Sequence, residues 1–210
     1  MTHADLPDAP ATARNRGPLL EVLRVEFANC RSVLEIGSCT GQHAIFFGEH
    51  LPHLRWQTSD VAANHADIDA WLAAAGPPNV AAPLRLDVLR DPDPVGCYDA
   101  VFSANTAHIM GIDAVVAMFA LVGRLLGPNA PFCLYGPFRI GGDFTSESNA
   151  AFDASLRSRD SAMGIRDLEY LDELAGAAGM TRTALIGMPA NNFVAVWRRK
   201  ETAAANGAVS

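Results

Sequence analysis

Positive charge, cysteine and long apolar runs are all scarce in this sequence. Its 210 residues carry 16 Lys and Arg against 23 Asp and Glu, a formal net charge of −7. Nucleic acid and anionic lipid are bound through clustered cations, so neither is an expected partner. The one compact basic run, Arg198-Arg199-Lys200, closes the last predicted strand and reads as a solvated boundary. Cys30, Cys39, Cys97 and Cys133 form no CxxC pair and have no histidine at metal-ligand spacing. That argues against a zinc site and a disulfide framework, and for a reducing cytoplasm. No apolar stretch approaches the ~20 residues of a membrane-spanning helix. The opening Met1-Thr2-His3-Ala4-Asp5-Leu6-Pro7 lacks the basic and apolar regions of a signal peptide.

Half of the residues are hydrophobic, enough for one sizeable core in one domain. A mobile arm is expected over residues 1–13, a single domain over 14–200, and a disordered tail over 201–210. Leu19, Leu20, Leu23 and Phe27 recur at helical spacing. Val33-Leu34-Glu35-Ile36 reads as a buried strand ending in a glycine-bearing turn, followed by a helix over 43–51. Strands are predicted over 54–58, 80–88, 98–104 and 132–135, with helices over 67–75 and 112–126. After a polar, glycine-rich insertion come helices near 150–159 and 167–178, then strands near 183–187 and 193–198. Such alternation means crossovers onto a mostly parallel α/β sheet. The last two strands are linked only by Met188-Pro189-Ala190-Asn191-Asn192, which predicts an antiparallel hairpin at one edge.

In open α/β sheets ligands bind beyond the carboxyl ends of the strands. The first strand runs into Glu35-Ile36-Gly37-Ser38-Cys39-Thr40-Gly41, whose glycines permit a tight turn and a close backbone approach. The helix beyond offers free N–H groups. Asp60 ends the second strand, nineteen residues after Gly41, where a carboxylate can accept from both ribose hydroxyls. Asp87 follows the third strand, placed for an adenine amino group, with the Val88 N–H available to a ring nitrogen. Each signal alone is common, since glycine turns and capping acids abound. In register on three successive strands they reinforce one another.

The run Val33-Leu34-Glu35-Ile36-Gly37-Ser38-Cys39-Thr40-Gly41-Gln42-His43-Ala44 resembles the first motif of class I methyltransferases. More narrowly, the chain resembles the "domain of unknown function 938" group of methyltransferase-like proteins. Further matches are Arg14-Asn15, Ser59-Asp60, Tyr135-Gly136-Pro137-Phe138 and Ser148-Asn149-Ala150-Ala151-Phe152-Asp153. Gly164-Ile165-Arg166-Asp167 and Met188-Pro189-Ala190-Asn191-Asn192 complete a resemblance over roughly residues 12 to 199. It implies a Rossmann-like, doubly wound seven-stranded sheet and S-adenosyl-L-methionine as cofactor. Candidate binding residues are Arg14, Asn15, Glu35, Gly37, Cys39, Gly41, Asp60, Asp87, Val88 and Asn105. Cys39 stands where the general motif prefers glycine; a tolerated small side chain is the simpler reading, a dead cofactor site the rival.

Methyl transfer from a sulfonium is an in-line displacement, for which alignment and exclusion of water matter most and a base is optional. Ser103-Ala104-Asn105-Thr106-Ala107-His108-Ile109-Met110 is the expected floor of the acceptor site. Asn105 would meet the methionine end of the cofactor and His108 the acceptor. An imidazole titrating near neutrality suits proton removal from a phenol, carboxylic acid or thiol, and a structural histidine is the even alternative. His43 reads as structural. Residues 138–149, with Gly141-Gly142, suit a lid. Phe138, Phe144 and Phe152 are candidates for an apolar wall or for core packing, and Arg14 and Asn15 for a strap over the cofactor or a solvated arm. A nicotinamide enzyme would want glycine at position 42, which is Gln42, and a Tyr-x-x-x-Lys pair, where Tyr135 is instead followed by Arg139. The amino-methylase motif Asn/Asp-Pro-Pro-aromatic is also missing, since Asn105 precedes Thr106-Ala107-His108. The expectation is a methyltransferase of a small-molecule acceptor, monomer or homodimer, with a catalytically inactive cofactor-binding regulator as alternative.

Overall fold

Strands buried on both faces read as near-continuous apolar runs. In the computed structural model, which describes residues 6–201, such runs form the middle of a seven-stranded sheet. Along the chain come α1 (Pro10–Glu26), β1 (Ser32–Ile36), α2 (Gln42–His50), β2 (Arg55–Asp60), α3 (His65–Ala75) and β3 (Val80–Arg85). Then follow β4 (Ala100–Ala104), α4 (Ile112–Leu125), β5 (Pro131–Gly136), β6 (Phe138–Ile140) and β7 (Asp143–Phe144). The chain continues through α5 (Glu147–Arg159), β8 (Arg166–Asp167), α6 (Leu168–Ala177), β9 (Met180–Met188) and β10 (Asn192–Arg199). The sheet order is β3-β2-β1-β4-β5-β10-β9, with β1 to β5 parallel and β10 antiparallel to both neighbours. The doubly wound sheet and its terminal hairpin are as the alternation predicts. No helix among the described residues is long and apolar enough to cross a membrane.

Side chains alternate across the sheet and feed two cores. Val33, Phe102, Cys133 and Val194 face Leu23 of α1, Phe27 at its C-cap and Phe47 of α2. Leu34, Val101, Phe132 and Trp197 face Met118, Phe119 and Val122 of α4 and Leu171 of α6. Edge-on aromatic pairs close both layers: Phe47 with Phe102 at 5.6 Å, and Phe119 with Trp197 at 5.3 Å. Burying each such ring contributes roughly 1.5–3 kcal/mol.

Two segments depart from expectation. The helical spacing of Leu19, Leu20, Leu23 and Phe27 marks only the later part of the first helix, whereas α1 begins at Pro10 and runs through Pro18. Residues 6–13 of the predicted mobile arm are instead docked: Leu6 is buried, the Trp71 indole donates to the Pro7 carbonyl at 2.7 Å, and Ala9 N–H donates to Gln42 at 2.7 Å. A proline in the first helical turn costs nothing because its missing N–H has no partner there. The rest of that arm, residues 1–5, and residues 202–210 of the predicted tail lie outside the described residues. The second departure is a small sheet, β7-β6-β8, inside the insertion after β5. Its two- and three-residue strands are too short to show a period.

Candidate active site

The carboxyl ends of β1 to β4 open onto a cavity of about 560 Å³. On one side the backbone of residues 37–41 turns sharply, with φ of 76° at Gly37, 53° at Cys39 and 84° at Gly41. Gly37 is obligatory, because a Cβ there would lie 2.4 Å from Thr106 Cγ2. The turn hangs from β2. Gly37 and Ser38 N–H groups both donate to the Ser59 carbonyl at 3.0 Å, and Cys39 N–H donates to Asp60 Oδ2 at 2.7 Å. Asp60 Oδ1 accepts from Val61 N–H at 2.7 Å and Asn64 Nδ2 at 2.9 Å, so the carboxylate is held rigidly at the cavity wall. Asp87 and Val88 line the same wall beyond β3, Asp87 accepting from Leu89 N–H at 3.0 Å.

On the other side lies the loop after β4. Asn105 takes a left-handed φ of 59°, which asparagine tolerates better than most residues, and donates its N–H to Tyr135 O at 2.9 Å. Ser103 Oγ links Thr106 Oγ1 at 2.6 Å to the Ile36 carbonyl at 2.7 Å, joining this loop to the end of β1. The His108 ring lines the cavity and meets the Phe152 ring edge-on at 5.4 Å. Its backbone is clamped from the far insertion. Gly164 N–H donates to the His108 carbonyl at 2.9 Å. Arg166 donates to the carbonyls of Ala107 at 2.9 Å, Ala162 at 2.8 Å, and Met110.

This chain matches, over residues 7–199, the family described as "Protein of unknown function (DUF938)". The chain belongs to that family. Among solved structures it is similar to an O-methyltransferase family protein from Burkholderia thailandensis. The TM-score is 0.79 at 14% identity, covering 92% of this chain and 58% of that one. The mitomycin 7-O-methyltransferase gives 0.77 at 14% identity, covering 90% and 54%. Human N-acetylserotonin methyltransferase, solved with S-adenosylmethionine, gives 0.71 at 13% identity, covering 91% and 58%. These similarities establish the class I methyltransferase fold. The chain spans little more than half the length of each of these proteins.

Of the residues singled out in this family member's sequence, Gly37, Cys39, Asp60, Asp87, Val88, Asn105 and His108 converge on the cavity. The other four do not line it. Glu35 lies beneath the turn, 1% exposed, its Oε2 accepting from Ser38 Oγ at 2.9 Å and the Trp56 indole at 3.1 Å. Burial pushes its carboxyl up to about 7. Gly41 is the left-handed N-cap of α2. Asn15 is turned inward, accepting from His43 Nε2 at 2.7 Å and bonding the Tyr135 side chain, while Arg14 stays exposed. The first turn of α1 reaches the cavity through Ala9, Ala11 and Thr12 instead, which no sequence signal marked.

Electrostatics change two further expectations. His108 does not titrate near neutrality: burial, then the Arg166 and Arg159 charges, bring it down to about 4. Cys39 exposes its thiol to the cavity, but burial and the Asp60 carboxylate raise its pKa, so it stays protonated and inert. Of the three phenylalanines, Phe152 alone lines the cavity. Phe138 is core, and Phe144 sits at the surface under the Arg139 guanidinium. The hairpin of β6 and β7 contributes no lining residue, so α5, through Phe152, walls the cavity beside His108. No group of three His, Cys, Asp or Glu among the described residues is placed to hold a metal ion.

Proposed function

We propose that this chain is an S-adenosyl-L-methionine-dependent methyltransferase acting on a small-molecule acceptor. One observation carries the reading: a single cavity joins a positive-φ turn and two acids on successive strands to a buried, cavity-facing imidazole. The residues present fit the cofactor. Asp60 is the acceptor for the ribose hydroxyls, Asp87 for the adenine amino group, and the Val88 N–H a donor to a ring nitrogen. Gly37, Cys39 and Asn105 border the methionine end. When bound, the cofactor supplies an electrophilic methyl group on a sulfonium. His108 and Asn105 then orient the acceptor, and Phe152 excludes water from it. The formal charge of −7 supports a small molecule over nucleic acid, and the free cysteines fit a cytoplasmic setting.

Calorimetry with S-adenosylhomocysteine tests this. Micromolar binding is expected, roughly −8 kcal/mol, and Asp60→Ala should weaken it by about 1.5–3 kcal/mol. No binding at millimolar ligand overturns the reading. The left-handed, non-glycine Cys39 in the turn favours one competitor, a regulatory protein that binds the cofactor without catalysis. Tight binding with no acceptor turned over would select it.

A further inference from the structure

A methyl acceptor needs an electron-rich atom. Either a base in the site removes its proton, or the acceptor arrives ionised. Of the titratable residues lining the cavity, His108 lies in the loop after β4, whereas Cys39 and His43 follow β1, Asp60 ends β2 and Asp87 follows β3. The imidazole is 6% exposed and faces the cavity, and it has no hydrogen-bond partner among the described residues. A histidine working as a base is commonly backed by a carboxylate that stabilises the imidazolium. Here the charges that act on it are two guanidinium groups, Arg166 of β8 and Arg159 at the end of α5. The Arg166 hydrogen bonds go to backbone carbonyls, so no carboxylate is bonded to it. Asp153 of α5 is occupied elsewhere, by Arg157 Nε and Ile165 N–H, each at 2.7 Å. A proton arriving on His108 would meet two positive charges and an apolar wall.

Resting on the methyltransferase reading, we propose that the acceptor is an organic oxyanion, a carboxylate foremost, held by the His108 N–H in the field of Arg166 and Arg159. The neutral ring, which burial and the two arginines keep uncharged above about pH 4, is then a hydrogen-bond donor and not a base. An oxygen lone pair forms the new O–CH₃ bond, the S–CH₃ bond breaks with its electron pair left on sulfur, and no proton moves. Opposite charges cancel as the bond forms, so the dry wall of Phe152 and Met110 favours the transition state over separated ions.

The test is calorimetry on the full chain with S-adenosylhomocysteine bound, comparing benzoate with its uncharged isostere benzamide. Benzoate is expected to bind about tenfold tighter at pH 7.5, with a ratio constant from pH 6 to 9. Arg159→Gln, at an exposed residue outside the cavity lining, should lower benzoate affinity about two- to threefold at low salt and leave benzamide unchanged. Equal affinities overturn the proposal, as does failure of both compounds to bind. So does a preference that grows as pH falls through 6.5, which would reveal an imidazolium. If S-adenosylhomocysteine itself does not bind, the methyltransferase reading falls and takes this one with it. Cofactor binding without benzoate preference removes this one alone.

Discussion

The turn at residues 37–41 and the loop at residues 105–110 face each other across one cavity and are held by different means. The turn is fixed by its neighbours in the fold: the Ser59 carbonyl and the Asp60 carboxylate, from the next strand over, about one βα unit away. The loop is fixed by a distant segment. Arg166 reaches Ala107 across 59 residues, and Gly164 reaches the His108 carbonyl. Doubly wound sheets place ligands at strand ends in general, so the first arrangement follows from the fold. The second belongs to the insertion between β5 and α6, which holds the loop from the side away from the turn.

Substitutions at three positions test that division, in descending size of effect. Gly164→Ala attacks the loop at 105–110. At φ 147° a side chain is strained, and its Cβ would lie 2.5 Å from Arg157 Nη2 and 2.9 Å from Asp153 Oδ1. Strain and overpacking together should cost about 3–5 kcal/mol. Thermal unfolding should show that loss, and hydrogen exchange should speed at amides 107–110 while those at 37–41 stay protected. Equal loosening of both would mean the halves are not separable.

Glu35→Gln attacks the other side. The folded carboxyl titrates near 7 and the unfolded one near 4.5, so between those values the native state holds a proton that the unfolded state has released. Wild-type stability therefore falls as pH rises from about 4.5 to about 7 and is flat above. The variant lacks this fall, so its stability relative to wild type should shift in its favour by up to about 3 kcal/mol across that window. Denaturant titrations at pH 4.5 and 8 measure the difference, and parallel curves would refute the buried, protonated Glu35.

The smallest effect is the most specific. His108→Ala should lower turnover by about 10–100-fold, the worth of a hydrogen bond to a charged group, with S-adenosylhomocysteine affinity unchanged. His108→Gln should keep much of the activity because its amide still donates. Neither should remove a pH step near 6.5, since the ring is neutral from about pH 4 upward. Loss of such a step in both variants would reinstate the general base.

How far the sequence can be read follows from the range of the interactions. β1 and its turn, Asp60 and Asp87 were legible because each lies at the end of a strand marked by its own apolar run. Asn105 and His108 were legible by position after β4. Glu35 and Asn15 do not line the cavity for one reason: a polar side chain beside a glycine turn or a helix start points inward or outward according to its packing. Trp56 and Ser38 claim Glu35, and His43 and Tyr135 claim Asn15. Phe138 and Phe144 differ in that the core covers the first and leaves the second at the surface.

The sequence by itself determined the alternation of elements, the edge hairpin, and the placement of Gly37, Asp60 and Asp87 at the ends of β1, β2 and β3. Those follow from local periodicity and from backbone conformations that single residues permit or forbid. The tertiary structure alone decided that α1 docks from Pro10, that Arg166 and Gly164 grip the loop carrying His108, and that His108 is neutral. Each of these depends on burial and charge brought together from residues far apart in the chain, which no local pattern records.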